Sequence, residues 1–151
     1  MQHSSNPPRI LFIDDYSDSS QIIDMLLYIK KCKYSFSTAD TPSKALELIS
    51  TQSFDLFVLE YKLPEMNGIE LCRQIRQADK QTPILFYTRT ARAFARESFA
   101  AAGATEFLIK PADLEQITDT IKSLLGENVP VYMGKIPVIT NYKTKQLSQV
   151  Y

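Results

Sequence analysis

Short apolar runs alternate five times with longer amphipathic stretches along this chain. Arg9-Ile-Leu-Phe-Ile-Asp14 is nearly all apolar and stops on acid, the pattern of a strand buried on both faces. Behind it, Ser17 and Asp18 are predicted caps for a helix that carries Ile22, Ile23, Leu26, Leu27 and Ile29 on one face and fades at Lys30-Lys31. Tyr34 to Thr38 reads as a short second strand. Thr41-Pro42 then gives an N-cap followed by proline at the first helical position, and Ala45, Leu46, Leu48 and Ile49 continue that helix. Asp55-Leu-Phe-Val-Leu-Glu60 repeats the logic of the first strand. Pro64 and Asn67-Gly68 mark a loop, and Ile69, Leu71, Cys72 and Ile75 a third helix. Pro83 to Thr88 is a fourth strand. Ala91 to Ala102 is an alanine-rich helix closed by Gly103. Thr105 to Ile109 is a fifth strand, followed by Lys110-Pro111, where a cis bond can fix the direction of the lysine. Asp113 is expected to cap a last helix bearing Leu114, Ile117, Ile121, Leu124 and Leu125.

Five strand-helix units imply a doubly wound parallel sheet with helices on both faces, an α/β/α sandwich spanning residues 9–126. Residues 1–8 are expected to be a disordered leader without the apolar core of a signal peptide. Residues 127–151 form an extension whose Val-Tyr-Met-Gly-Lys-Ile-Pro-Val-Ile stretch suggests a β-hairpin around Gly134 or a docking arm.

In such sheets chemistry gathers outside the carboxyl ends of the strands. Those ends hold Asp14, Asp15, Glu60, Thr88 and Lys110. Three carboxylates on one edge repel each other and call for a bound cation, a protonated carboxyl or a neighbouring ammonium. Oxygen ligands of this kind suit Mg²⁺ or Mn²⁺, and Lys110 is the candidate ammonium.

Composition narrows the field. Seventeen basic residues balance seventeen acidic ones, which argues against nucleic acid or a membrane surface as partner. His3 is the lone histidine and falls in the leader, so chemistry that needs a histidine base is not expected. Cys32 and Cys72 fit no metal spacing and are predicted fillers of a reduced, cytoplasmic chain.

Ile13-Asp14-Asp15, Asp55 to Pro64 with Asn67-Gly68, Thr88, and Gly103 to Pro111 together resemble the receiver domain of two-component response regulators, from about Arg9 to Gly126. The resemblance implies a flavodoxin-like fold with strand order 2-1-3-4-5, in which an aspartate accepts a phosphoryl group from a histidine kinase. It implies that Asp14, Asp15 and the main-chain carbonyl of Lys62 hold Mg²⁺, with the acceptor position as a further ligand. Thr88 and Lys110 would contact phosphoryl oxygens, and Phe107 would turn inward in the phosphorylated state. Partners and dimers of the family use the fourth helix, fifth strand and fifth helix. Arg92, Phe94, Arg96, Phe99 and Glu106 are candidates for exposure there, the two aromatic positions being equally candidates for the core, and the apolar tail from Val129 to Ile139 is an alternative contact.

Two positions depart from the family pattern. The acceptor position holds Glu60, and Arg89 follows Thr88 where a small residue is usual. A glutamate reaches one methylene further, toward Thr88 and Lys110, with one charge against up to two on a phosphoryl group. In-line attack needs fine placement of the nucleophile, so phosphorylation is expected to be lost or poor and Mg²⁺ binding weakened or absent. Arg89 is expected to pair with Glu60, roof the site or extend to solvent. The first reading is an atypical receiver acting as a phosphorylation-independent interaction module, not an enzyme. A second is a weakly phosphorylatable relay receiver. A third, an Asp14-based phosphatase resembling haloacid dehalogenases, lacks the acid two residues on, where Tyr16 stands. Flavin or nucleotide binding is disfavoured by the acids in the first loop.

Overall fold

The computed structural model describes residues 6–89, 95–127, 129–133 and 136–140. The leader through residue 5, Arg92, Phe94 and Gly134 lie outside the described residues. Strands β1 (Arg9–Ile13), β2 (Ser35–Ala39), β3 (Leu56–Leu59), β4 (Ile84–Thr88) and β5 (Glu106–Ile109) form one parallel sheet in the order β2-β1-β3-β4-β5. Helices α1 (Ser17–Ile29), α2 (Pro42–Thr51), α3 (Gly68–Ala78), α4 (Ala95–Ala102) and α5 (Ile117–Leu124) connect and cover it. This is the expected flavodoxin-like α/β fold. Beyond it, β6 (Val129–Met133) and β7 (Ile136–Thr140) pair antiparallel as a separate two-stranded sheet.

Alternation along each strand divides the core into two layers. Leu11, Ile13, Phe57, Leu59 and Phe86 point to one side, where Ala45 of α2, Leu71, Cys72 and Ile75 of α3, and Phe99 of α4 close over them. Ile10, Phe12, Leu56, Val58, Leu85 and Tyr87 point to the other, under Ile23 and Leu27 of α1 and Ile117 and Ile121 of α5. Each such side chain contributes roughly 1.5–3 kcal/mol by leaving water. Cys72 is a packed filler as expected: burial pushes its thiol up to about 11, and Cys32 is also a free thiol.

Four local expectations are corrected. Asp18 does not cap α1, and the Ser17 side chain lies outside what the structure describes. Tyr16 is its N-cap without a side-chain bond, because the preceding turn is already held by the Asp14 carboxylate. Ile22 and Ile29 do not share the buried face with Ile23 and Leu27. They are 41% and 64% exposed, because seven apolar positions in thirteen residues wrap past the narrow stripe that the sheet and α5 can cover. Asn67-Gly68 is a helix start rather than loop. The Asn67 side chain accepts the Glu70 N–H at 3.0 Å and α3 begins at Gly68. Asp113 does not cap the last helix, since its carboxylate accepts the Ile109 N–H at 2.7 Å. A 3₁₀ turn, Leu114–Gln116, intervenes before α5.

Candidate functional site

The parallel register brings the strand ends level. Ile13 stands opposite Leu59, Leu59 opposite Phe86, and Thr88 opposite Ile109. The ladder continues one step past the strands. The Glu60 N–H donates to the Ile13 carbonyl at 2.9 Å, and the Lys110 N–H to that of Thr88 at 2.8 Å. Asp14, Glu60, Thr88 and Lys110 therefore share one edge, set by backbone pairing before any side chain acts. The Lys110-Pro111 bond is cis.

Glu60 is buried and spends both oxygens on protein donors. Its Oε1 accepts the Thr88 hydroxyl and the N–H groups of Tyr61 and Lys62, the amides at 2.7 and 3.4 Å. Its Oε2 lies 3.1 Å from the Lys110 ammonium. Lys110 is saturated. Besides Glu60, it donates to Asp14 Oδ2 at 2.6 Å and Ser19 Oγ at 3.0 Å, and it sits 5.1 Å from the centre of the Tyr87 ring. Asp14 Oδ1 takes the Tyr16 N–H at 2.8 Å. Asp15 is exposed. No buried side-chain nitrogen or oxygen among the described residues lacks a partner.

A cavity of about 260 Å³ opens above this network, lined by Asp14, Asp15, Tyr16, Glu60, Lys62, Arg89 and Lys110. Arg89 does not pair with Glu60, which the ammonium already neutralises. Its guanidinium lies 5.4 Å from the centre of the Tyr16 ring at the rim, so it roofs the opening. Phe107 is inward and 7% exposed, its ring tilted against Phe99 at a centroid distance of 4.9 Å. Of the two readings open for Phe99, surface or core, the structure takes the core: it is 1% exposed and fills the space between Phe86, Phe107 and Tyr61. Arg96 is exposed, with its guanidinium 5.6 Å from the Phe107 ring centre, and Glu106 is half-buried.

Ser19 and Tyr87 were not legible as site residues. Ser19 sits in the first turn of a helix, where serine is commonplace. Tyr87 is one of the alternating core positions, and its ring carries no mark of the ammonium above it.

The family model of the response regulator receiver domain matches residues 10–122. The chain belongs to the response regulator receiver family. The response regulator ArlR of Staphylococcus epidermidis is 28% identical over 117 residues, 78% of this chain and 52% of that protein. The alkaline phosphatase synthesis transcriptional regulatory protein PhoP of Bacillus subtilis is 31% identical over 118 residues, 78% of this chain and 48% of its own length. The non-phosphorylated HemR receiver domain of Leptospira biflexa matches with a TM-score of 0.70 at 33% identity, over 83% of this chain and 99% of that one. The chain thus spans about half the length of the curated relatives it matches. No helix among its described residues is long and apolar enough to cross a membrane.

The resemblance assigns Mg²⁺ to the acids of a receiver, and the residues of this one fit it poorly as arranged. Glu60 gives both oxygens to protein donors and Asp14 is held by Lys110 and the Tyr16 amide, which leaves Asp15 as the carboxylate facing solvent. No group of three or more acids, histidines or cysteines among the described residues is placed to hold a metal.

The loop after Glu60 depends on a close approach at the start of α3. A Cβ built on Gly68 would lie 2.4 Å from the Glu60 carbonyl oxygen and 2.8 Å from Cε1 of Phe86. The oxygen belongs to backbone and cannot swing aside. Gly68→Ala is therefore expected to cost about 1–3 kcal/mol by overpacking. It should appear as a lowered urea midpoint with an unchanged slope. An unchanged midpoint would mean that the loop shifts freely and does not hold Glu60.

Proposed function

We propose that this receiver signals through protein contacts without taking up a phosphoryl group, with Glu60 standing in for the phosphorylated aspartate. The observation that carries the reading is the double engagement of Glu60, with Thr88 on one oxygen and Lys110 on the other. These are the two groups that the family resemblance assigns to the phosphoryl oxygens. Phe107 in its inward position supports the same reading, since the resemblance associates that position with the phosphorylated state. The site is closed by its own ammonium and has no need of Mg²⁺. Asp14, with both oxygens bonded, is no free nucleophile, which disfavours phosphatase chemistry and supports a module that is not an enzyme. Its partners would be proteins, a histidine kinase or a downstream effector, in the cytoplasm.

The test is incubation of the full chain with acetyl phosphate and Mg²⁺, followed by intact-mass and peptide mass spectrometry. The wild type is expected to remain unmodified. A stoichiometric acyl phosphate on Glu60 would overturn the proposal, and partial labelling would favour the weakly phosphorylatable relay. Glu60→Asp draws the carboxylate back by about 1.5 Å, one carbon–carbon bond, and frees Thr88 and the space in front of it. That variant is expected to gain label under the same conditions, and its spectra around Phe107 should differ from those of the wild type.

A further inference from the structure

The large apolar side chains that stand exposed among the described residues are Tyr16, Ile22, Met25, Tyr28 and Ile29, and all belong to α1 or its cap. Among the described residues the α4–β5 face supplies none, since Phe99 and Phe107 are buried. At 100° per residue, Ile22, Met25 and Ile29 fall within about 60° of each other, on the side of the helix away from Ile23 and Leu27. Tyr28, 83% exposed, flanks the stripe. Helix α1 thus carries two apolar faces, one spent on the core and one facing outward.

The charges that border the stripe are ordered, while Asp24, exposed in mid-helix, points away from it. Asp15 and Asp18 are exposed at its amino end, Lys31 and Lys33 just past its carboxyl end. Lys30 is excluded, because its ammonium donates to Thr118 Oγ1 at 2.5 Å on α5. A helix with acid at one end, base at the other and an apolar stripe between complements an antiparallel copy of itself. Related by a two-fold axis near Met25, Ile22 of one copy meets Ile29 of the other, and Asp18 meets Lys31 and Lys33. The helix dipoles then also oppose. A specific interface buries about 1,000 Å² or more in total, and the exposed Ile22, Met25, Tyr28 and Ile29 of each copy are the apolar surface available for it.

We infer that this face of α1 is a self-association surface that pairs two copies of the chain as an isologous, antiparallel helix dimer. The inference is independent of how Glu60 behaves. It moves the dimer contact away from the fourth-helix, fifth-strand face that the family resemblance suggested.

Sedimentation equilibrium of the full chain at roughly 100 µM, above the micromolar dissociation constants that modest interfaces reach, is the test. The wild type is expected to be a dimer. Met25→Glu, at an exposed position, should raise the dissociation constant by more than about tenfold while leaving the circular dichroism and thermal midpoint intact. Should that variant lose its fold, the charges give a second route. Asp18→Lys should weaken the dimer, and adding Lys33→Asp to it should restore association. A wild type that stays monomeric overturns the pairing and leaves the face to a different protein. A dimer indifferent to both Met25→Glu and the charge exchange places the contact elsewhere and overturns it equally.

Discussion

Lys110→Ala is expected to destabilise the chain by about 3–5 kcal/mol, the scale seen when one partner of a buried ionic network is removed. The ammonium stands 2.6 Å from Asp14 and 3.1 Å from Glu60, and the three side chains are 7%, 11% and 9% exposed in that order. Solvent screening therefore does little to soften the loss. Without the lysine, two carboxylates face each other across the gap it filled, and Ser19 loses the cation to which its hydroxyl is bonded. For a chain of this size the thermal midpoint should fall by roughly 10 °C. Lys110→Arg is not expected to rescue it, because a planar guanidinium cannot meet Asp14, Ser19 and Glu60 from one point above the Tyr87 ring. Lys110→Met combined with Glu60→Gln should recover part of the loss, since it removes one of the two stranded charges. Thermal and urea denaturation of these three variants beside the wild type measures the differences. A cost below about 1 kcal/mol for Lys110→Ala would mean that the network behaves as a surface ion pair and that Glu60 is not held by it.

This network was half visible in the sequence. A continuous apolar run that stops on a charge signals a buried strand and the place where it leaves the core, so Asp14, Glu60, Thr88 and Lys110 could be placed on one edge. Which groups would bond was not readable, because side-chain direction depends on what competes for each oxygen. Arg89 illustrates the point. Its charge suits Glu60 as well as that of Lys110 does, but Lys110 leaves its strand from inside the edge while Arg89 is exposed at the rim over Tyr16. Helix boundaries failed for a similar reason. Asn67 and Asp113 are both competent caps, and only Asn67 acts as one, because the Asp113 carboxylate is captured by the Ile109 amide. In α1, five apolar residues looked like one face. The alternation of core and surface around the helix became clear only once the sheet and α5 defined how wide a stripe could be buried.

Phe99→Ala should cost a similar amount, about 3–5 kcal/mol, for a different reason. Phe99 is 1% exposed and stacks on Phe86 with centroids 4.2 Å apart and planes at 16°. It meets Phe107 at 4.9 Å and Tyr61 edge-on at 5.8 Å. Truncation leaves a cavity walled by rigid rings on β4 and β5, which cannot collapse to fill it. Phe99→Leu keeps most of the volume and should cost less, about 1–1.5 kcal/mol, chiefly the aromatic contacts. The position also carries a consequence beyond stability. Tyr61 adjoins Glu60 in the chain and donates its N–H to that side chain, whereas Phe107 lies under the exposed Arg96 on the α4–β5 face. Phe99 touches both rings and is the physical link between the acidic edge and that surface. In the wild-type background, Glu60→Gln should shift the resonances of Phe107 and Arg96 in nuclear magnetic resonance spectra. In a Phe99→Ala background, studied well below its melting temperature, the same change should leave them nearly still. A response that persists without the Phe99 ring would mean that Thr88 or the β4–β5 backbone carries the coupling. A stability loss unaccompanied by that silence would make Phe99 a core residue and nothing more.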